Sequence, residues 1–150
     1  MIQRIQSVFL LLVCILMALV VFSPLLTVLT ETGAKLTFDS FGLFTKQITF
    51  FTWGIVSIGS VCAILPLINI FLYKKRKLQV KIGYLTTLMI ILFYVTVFVY
   101  FNALTNKHAV SFESMQYGII IPLIALIFNV LAIVKIKKDE NLIKSLDRIR

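Results

Sequence analysis

Four stretches of this chain carry no charged residue: 5–30, 47–73, 82–106 and 114–134, with lengths of 26, 27, 25 and 21 residues. A helix of about 20 apolar residues crosses ~30 Å of hydrocarbon. Lipid offers backbone N–H and C=O groups no partner, so a segment inside it must satisfy them as a helix or in a closed barrel. A barrel strand is about 10 residues of alternating polarity, and these stretches do not alternate. The chain therefore reads as an all-α membrane protein in one domain, 1–150. Its four transmembrane helices are predicted over about 5–29, 48–73, 82–105 and 115–135, with a cytoplasmic tail over 136–150. Composition agrees, being 60% hydrophobic and 14% charged, whereas soluble domains are nearer half apolar and a quarter charged. Arg4 gives the first stretch a basic front like that of a signal peptide. Its apolar run is too long for one, however, and Val21-Phe22-Ser23-Pro24 is a poor cleavage site.

Lysine and arginine counts in the short connections set orientation. One side collects Arg4, Lys74, Lys75, Arg76, Lys77, Lys81, Lys135, Lys137, Lys138, Lys144, Arg148 and Arg150. The other has Lys35, Lys46 and Lys107. Twelve against three predicts both ends in the cytoplasm and two in-out-in hairpins. The net charge of +9 then reflects topology and attraction to anionic headgroups, and no nucleic-acid partner is expected. In the first outer loop, 31–46, Ala34-Lys35-Leu36-Thr37-Phe38 alternates and Asp39-Ser40 is a turn signal, so a short β-hairpin is expected there. The second outer loop, 107–113, reads as short and polar. In the tail, Leu142, Ile143, Leu146 and Ile149 form one stripe among charges of both signs, which reads as an amphipathic cytoplasmic helix.

No acidic residue falls within a predicted span, so the usual mark of a proton relay or ion path is missing. His108 is the single histidine and sits in a loop, and Cys14 and Cys62 read as small apolar fillers. No catalytic, metal or cofactor site is expected, and the chain reads as not an enzyme. The polar residues predicted inside the membrane are Ser57, Ser60, Asn69 and Asn129, suited to packing between helices. Leu65-Pro66-Leu67-Ile68 and Ile121-Pro122-Leu123-Ile124 form a weak internal echo, each followed by one of the asparagines.

The opening Met1-Ile2-Gln3-Arg4-Ile5-Gln6-Ser7-Val8-Phe9-Leu10 resembles the start of an uncharacterised family of small bacterial four-helix membrane proteins, a domain of unknown function. The ending Lys138-Asp139-Glu140-Asn141-Leu142, with Ser145-Leu146-Asp147-Arg148-Ile149-Arg150, resembles that family's ending, and Arg76-Lys77-Leu78-Gln79 fits its basic inner loop. The resemblance implies a bacterial inner (cytoplasmic) membrane location and no particular activity. Beside it stands an expectation from charge. Arg4, Lys74, Lys75, Arg76, Lys77, Lys81, Asp139, Glu140, Asp147, Arg148 and Arg150 form a cytoplasmic surface for anionic lipid or for docking. Mixed charge suits pairing with the inner loop of the same molecule or with another protein. The leading expectation is a structural or accessory subunit or assembly factor. The alternatives are a small oligomeric transporter or lipid-handling protein, lined by the second helix from Ser57 to Asn69, and a membrane sensor.

Overall fold

The computed structural model describes residues 2–30, 33–44, 49–73, 75–107 and 110–147. Four helices run alternately up and down: α1 (Ile2–Val21), α2 (Trp53–Phe71), α3 (Arg76–Lys107) and α4 (Tyr117–Asp147). Between α1 and α2 lie β1 (Pro24–Thr30), β2 (Lys35–Asp39), β3 (Gly42–Phe44) and β4 (Thr49–Phe51), and β5 (Val110–Met115) joins α3 to α4. The strands form one antiparallel sheet in the order β4-β3-β2-β1-β5. This sheet caps one end of the bundle. The other end carries the starts of α1 and α3, the ends of α2 and α4, and most of the lysines.

Each helix buries one narrow seam. It is Gln6, Leu10, Val13, Met17 and Val20 in α1, and Ile55, Gly59, Cys62, Pro66 and Asn69 in α2. In α3 it is Gln79, Gly83, Thr86, Ile90, Phe93 and Val97, and in α4 Gly118, Pro122, Ala125, Asn129, Ala132, Ile136 and Asp139. Every one of these series steps by alternating fours and threes, the 3.5-residue period of knobs-into-holes packing. Around the bundle α1 packs on α2 and α4, and α3 packs on the same two. The opposite faces are apolar and exposed, as at Leu88, Phe98, Leu123 and Val134. Apolar residues all round a helix mark one that is not bathed in water. By length and composition α2, α3 and residues Tyr117–Asn141 of α4 suffice to cross a membrane, whereas the apolar stretch of α1, Ile5–Val21, is shorter.

The first helix is the main departure from the expected spans. Instead of running over 5–29 it stops at Val21, and the remainder becomes β1, the second-last strand of the sheet. Pro24 has no N–H to continue a helical ladder and disfavours helical angles at the residue before it. The Ser23 hydroxyl donates to the Leu19 carbonyl at 2.7 Å, and the Phe22 and Ser23 amides close the last turn on Leu19 and Val20. Beyond Pro24 the charge-free run is buried between neighbouring strands and the bundle end, where Leu25, Leu26 and Val28 join Val20, Phe38, Leu43, Ile55, Val97 and Leu104 in one core. A buried strand needs no charge either, so freedom from charge did not distinguish the two.

The connections at the sheet end are correspondingly more ordered than a single hairpin. The turn signal at Asp39-Ser40 holds, since Asp39 pairs with Gly42 across it, and Gly42 takes φ 132°, a region L side chains rarely adopt. The segment read as a polar loop over 107–113 contains most of β5, whose Ser114 and Phe112 pair with Thr27 and Val28 of β1. β4 takes residues 49–51 from the start of the expected second span. At the opposite end α3 begins at Arg76, six residues before its charge-free stretch, and α4 continues without interruption through the expected tail to Asp147. At 1.5 Å per residue the 32 residues of α3 extend about 48 Å, well beyond ~30 Å of hydrocarbon.

Candidate functional site

Polar side chains on the inner seams gather in the half of the bundle away from the sheet. On α2, Asn69 is fully buried in the last turn. Its Nδ2 donates to the Gln79 carbonyl at 3.2 Å, and Gln79 Nε2 returns a bond to the Asn69 carbonyl at 2.9 Å. On α4, Asn129 Nδ2 donates to the Gly83 carbonyl at 3.0 Å and to Thr87 Oγ1 at 2.9 Å. Gly83 makes that approach possible, because a Cβ there would stand 2.6 Å from Ile133 Cγ1. Both asparagines and both prolines of the internal echo lie on the inner seams, yet the prolines stand three and seven residues ahead of their asparagines. The echo therefore preserves a face rather than a spacing. The side-chain oxygens of Asn69 and Asn129 are buried without a hydrogen-bond partner among the described residues.

One step further toward the basic end lies Asp139, only 6% exposed. Gln6 of α1 donates its Nε2 to Asp139 Oδ2, and also to the Lys135 carbonyl at 3.3 Å. Arg76 Nη1, from the first turn of α3, stands 3.6 Å from the same Asp139 oxygen. One carboxylate thus ties α4 to both α1 and α3. Of the two pairings the mixed charge suggested, the structure realises the internal one for Asp139.

Between the start of α1, the end of α2 and the start of α3 opens a cleft of about 390 Å³, lined by Gln6, Ser7, Ile70, Phe71, Tyr73, Arg76 and Gln79. At the same end of the bundle Lys75, Lys77, Lys81, Lys135, Lys137 and Lys138 are exposed. Lys137 Nζ donates to Tyr84 Oη at 2.5 Å and lies 5.0 Å from the centre of that ring. Glu140 is partly buried beside this surface. Arg4 falls in α1 and Asp147 closes α4, whereas Lys74, Arg148, Arg150 and the loop histidine His108 lie outside the described residues.

Ser57 and Ser60 do not join this cluster. Each hydroxyl donates back within α2, to Gly54 at 3.0 Å and to Val56 at 2.8 Å, and Ser57 is exposed. The two serines and Asn69 do not share a face. Gln6, Gln79, Thr86 and Thr87 are the members that a reading of composition and charge passes over. A signal was available for three of them: Gln6, Gln79 and Thr86 are uncharged polar residues in step with apolar or small residues three or four positions away on their own helices, whereas Thr87 stands beside the seam. Among the described residues no group of three or more His, Cys, Asp or Glu could hold a metal ion.

Residues 2–149 match the family described as "Domain of unknown function (DUF4293)". No curated protein matches the chain.

Proposed function

The chain belongs to this family of unknown function, and from that premise we propose that it is a non-enzymatic, multi-pass accessory protein of the bacterial inner membrane. In this reading all four helices span the bilayer, the sheet lies outside, and the basic end, with both chain ends, faces the cytoplasm. That end docks an acidic surface of a protein partner.

One observation carries the reading. Asp139 is withdrawn into the bundle by Gln6 and Arg76, while Lys75, Lys77, Lys81, Lys135 and Lys138 stay exposed at the same end. The surface left for a partner is therefore more one-sidedly basic than the sequence there, and such a surface steers acidic partners. The positive-inside bias puts the same residues in the cytoplasm. α1 spans despite its short apolar stretch, because its 20 residues reach about 30 Å.

The experiment is cross-linked affinity purification from membranes in mild detergent. The wild-type chain should recover one defined partner, and replacing Lys75, Lys77, Lys81, Lys135 and Lys138 by glutamine should lose it. The sheet-end control Lys35→Gln should keep it. Recovery of the chain alone, or of the same proteins with all three chains, rejects docking through this face.

A further inference from the structure

We infer that the cleft between α1, α2 and α3 is a binding site for a phosphate-bearing anion, and that its occupant is the headgroup of an anionic phospholipid. The inference rests on the reading that the basic end lies at the cytoplasmic headgroup layer.

The polar wall of the cleft is built around Arg76. Its side chain is 20% exposed, and its closest ionic partner is Asp139 at 3.6 Å. That distance makes an ion pair but exceeds a hydrogen bond. A guanidinium offers five N–H donors in a planar fork that fits phosphate oxygens two at a time, and the Asp139 contact does not use them up. The Asp139 oxygen facing Arg76 already accepts from Gln6. Arg76 also opens α3, whose first turn carries no acidic residue, so the positive end of the helix dipole lies at the same residue that lines the cleft. Lys75 and Lys77 flank it and are exposed. Against these cations stand the buried carboxylate of Asp139 and the partly buried Glu140 beside it, and with Lys75, Arg76 and Lys77 the local balance stays positive.

The opposite wall decides between sources of phosphate. Ile70 and Phe71 line it, and Phe71 is 75% exposed at the end of a helix whose outward face is apolar. A free phosphate gains nothing from that wall. A phospholipid places its phosphate against Arg76 and its chains along the outside of α2, so both walls are used. Gln6 and Ser7, at the start of α1, close the third side.

The test uses the full chain, relipidated with phosphatidylglycerol or with phosphatidylcholine and examined by native mass spectrometry. One phosphatidylglycerol should be retained per chain in preference to phosphatidylcholine. Arg76→Gln should weaken that retention about tenfold or more, the value of a charge-assisted pair. Because that change also leaves Asp139 without its cation, a second variant, Ser7→Phe, fills the cleft and spares the ion pair. It should weaken retention similarly, while Lys35→Gln at the sheet end should not. Displacement of the lipid by sodium phosphate would assign the same donors to the free anion. Equal retention of the two lipids, or undiminished retention in both cleft variants, overturns the site. Labelling of a Lys77→Cys chain by an impermeant maleimide in intact cells would instead reject the cytoplasmic orientation, a failure separate from that of lipid binding.

Discussion

Asn69 and Gln79, ten residues apart, each donate a side-chain N–H to the other's backbone carbonyl, at 3.2 and 2.9 Å. This reciprocal pair spans the turn from α2 to α3 and fixes how the two helices meet. Asn69 also accepts, through its carbonyl, the amide of Leu72 just past α2, so the last turn of one helix and the first turns of the next share one bonded unit.

Replacing either residue by leucine removes one bond of the pair and disturbs the other. Interhelical bonds of this kind are worth about 0.6–1.7 kcal/mol in membranes. Asn69→Leu and Gln79→Leu should each destabilise by about that amount, and the double variant by clearly less than their sum. A double-mutant cycle of unfolding in mixed micelles measures the coupling. Strict additivity would show that the pair does not act as a unit.

Two glycines allow close approach for different reasons. At Gly83 an added Cβ would meet the Ile133 side chain at 2.6 Å, whereas at Gly118 it would meet the Pro24 backbone carbonyl oxygen at 2.3 Å. Alanine at either position should destabilise by about 1–3 kcal/mol through overpacking. Trimming Ile133 to alanine alongside Gly83→Ala should recover part of that loss. No side-chain trimming should relieve Gly118→Ala, because its obstacle is backbone. Melting temperatures of the single and double variants check this, and equal rescue at both sites would refute it.

Much of the bundle was legible from charge-free length alone, because the physical constraint is crude: hydrocarbon tolerates helices and little else. The same crudeness hid β1. A buried strand and a buried helix both lack charge, and only Pro24 with the β-branched residues after it marked the change. The inner seams were legible in principle, since Gln6, Asn69, Gln79, Thr86 and Asn129 each fall in step with buried residues three or four positions away on the same helix. With apolar side chains on every face, polarity rather than hydrophobicity marks the inside, and a search for apolar stripes looks past it. The joining of Gln6, Arg76 and Asp139 depends on three chain segments meeting. Nothing local announces that a tail aspartate will be buried.

Asp39, at the end of β2, supplies a pH dependence. Desolvation raises its carboxyl above the ordinary carboxylate range, so between the unfolded and folded values the native state binds the extra proton. Stability from this group is then greatest at low pH and falls as pH rises through that window. Asp39→Asn should remove this contribution and flatten the mildly acidic part of the stability profile, as followed by thermal melts across pH. An unchanged profile would exclude Asp39 as its source.

The Asp139 carboxylate fixes the end of α4, which runs past the core formed by Leu10, Ala132 and Ile136. Asp139→Ala removes the acceptor for Gln6 and the counter-charge for Arg76 together. Leaving buried donors unmatched costs about 1–3 kcal/mol. The loss should be local, because Asn129 holds α4 to α3 nearly three turns earlier. Asp139→Asn keeps an oxygen for Gln6 but not the charge, so its effect should be intermediate. Hydrogen exchange reads the difference: amides over 136–147 should exchange faster in the order wild type, asparagine, alanine, while those over 118–130 stay protected. Exchange rising equally along all of α4 would mean that Asp139 supports the whole bundle rather than its basic end.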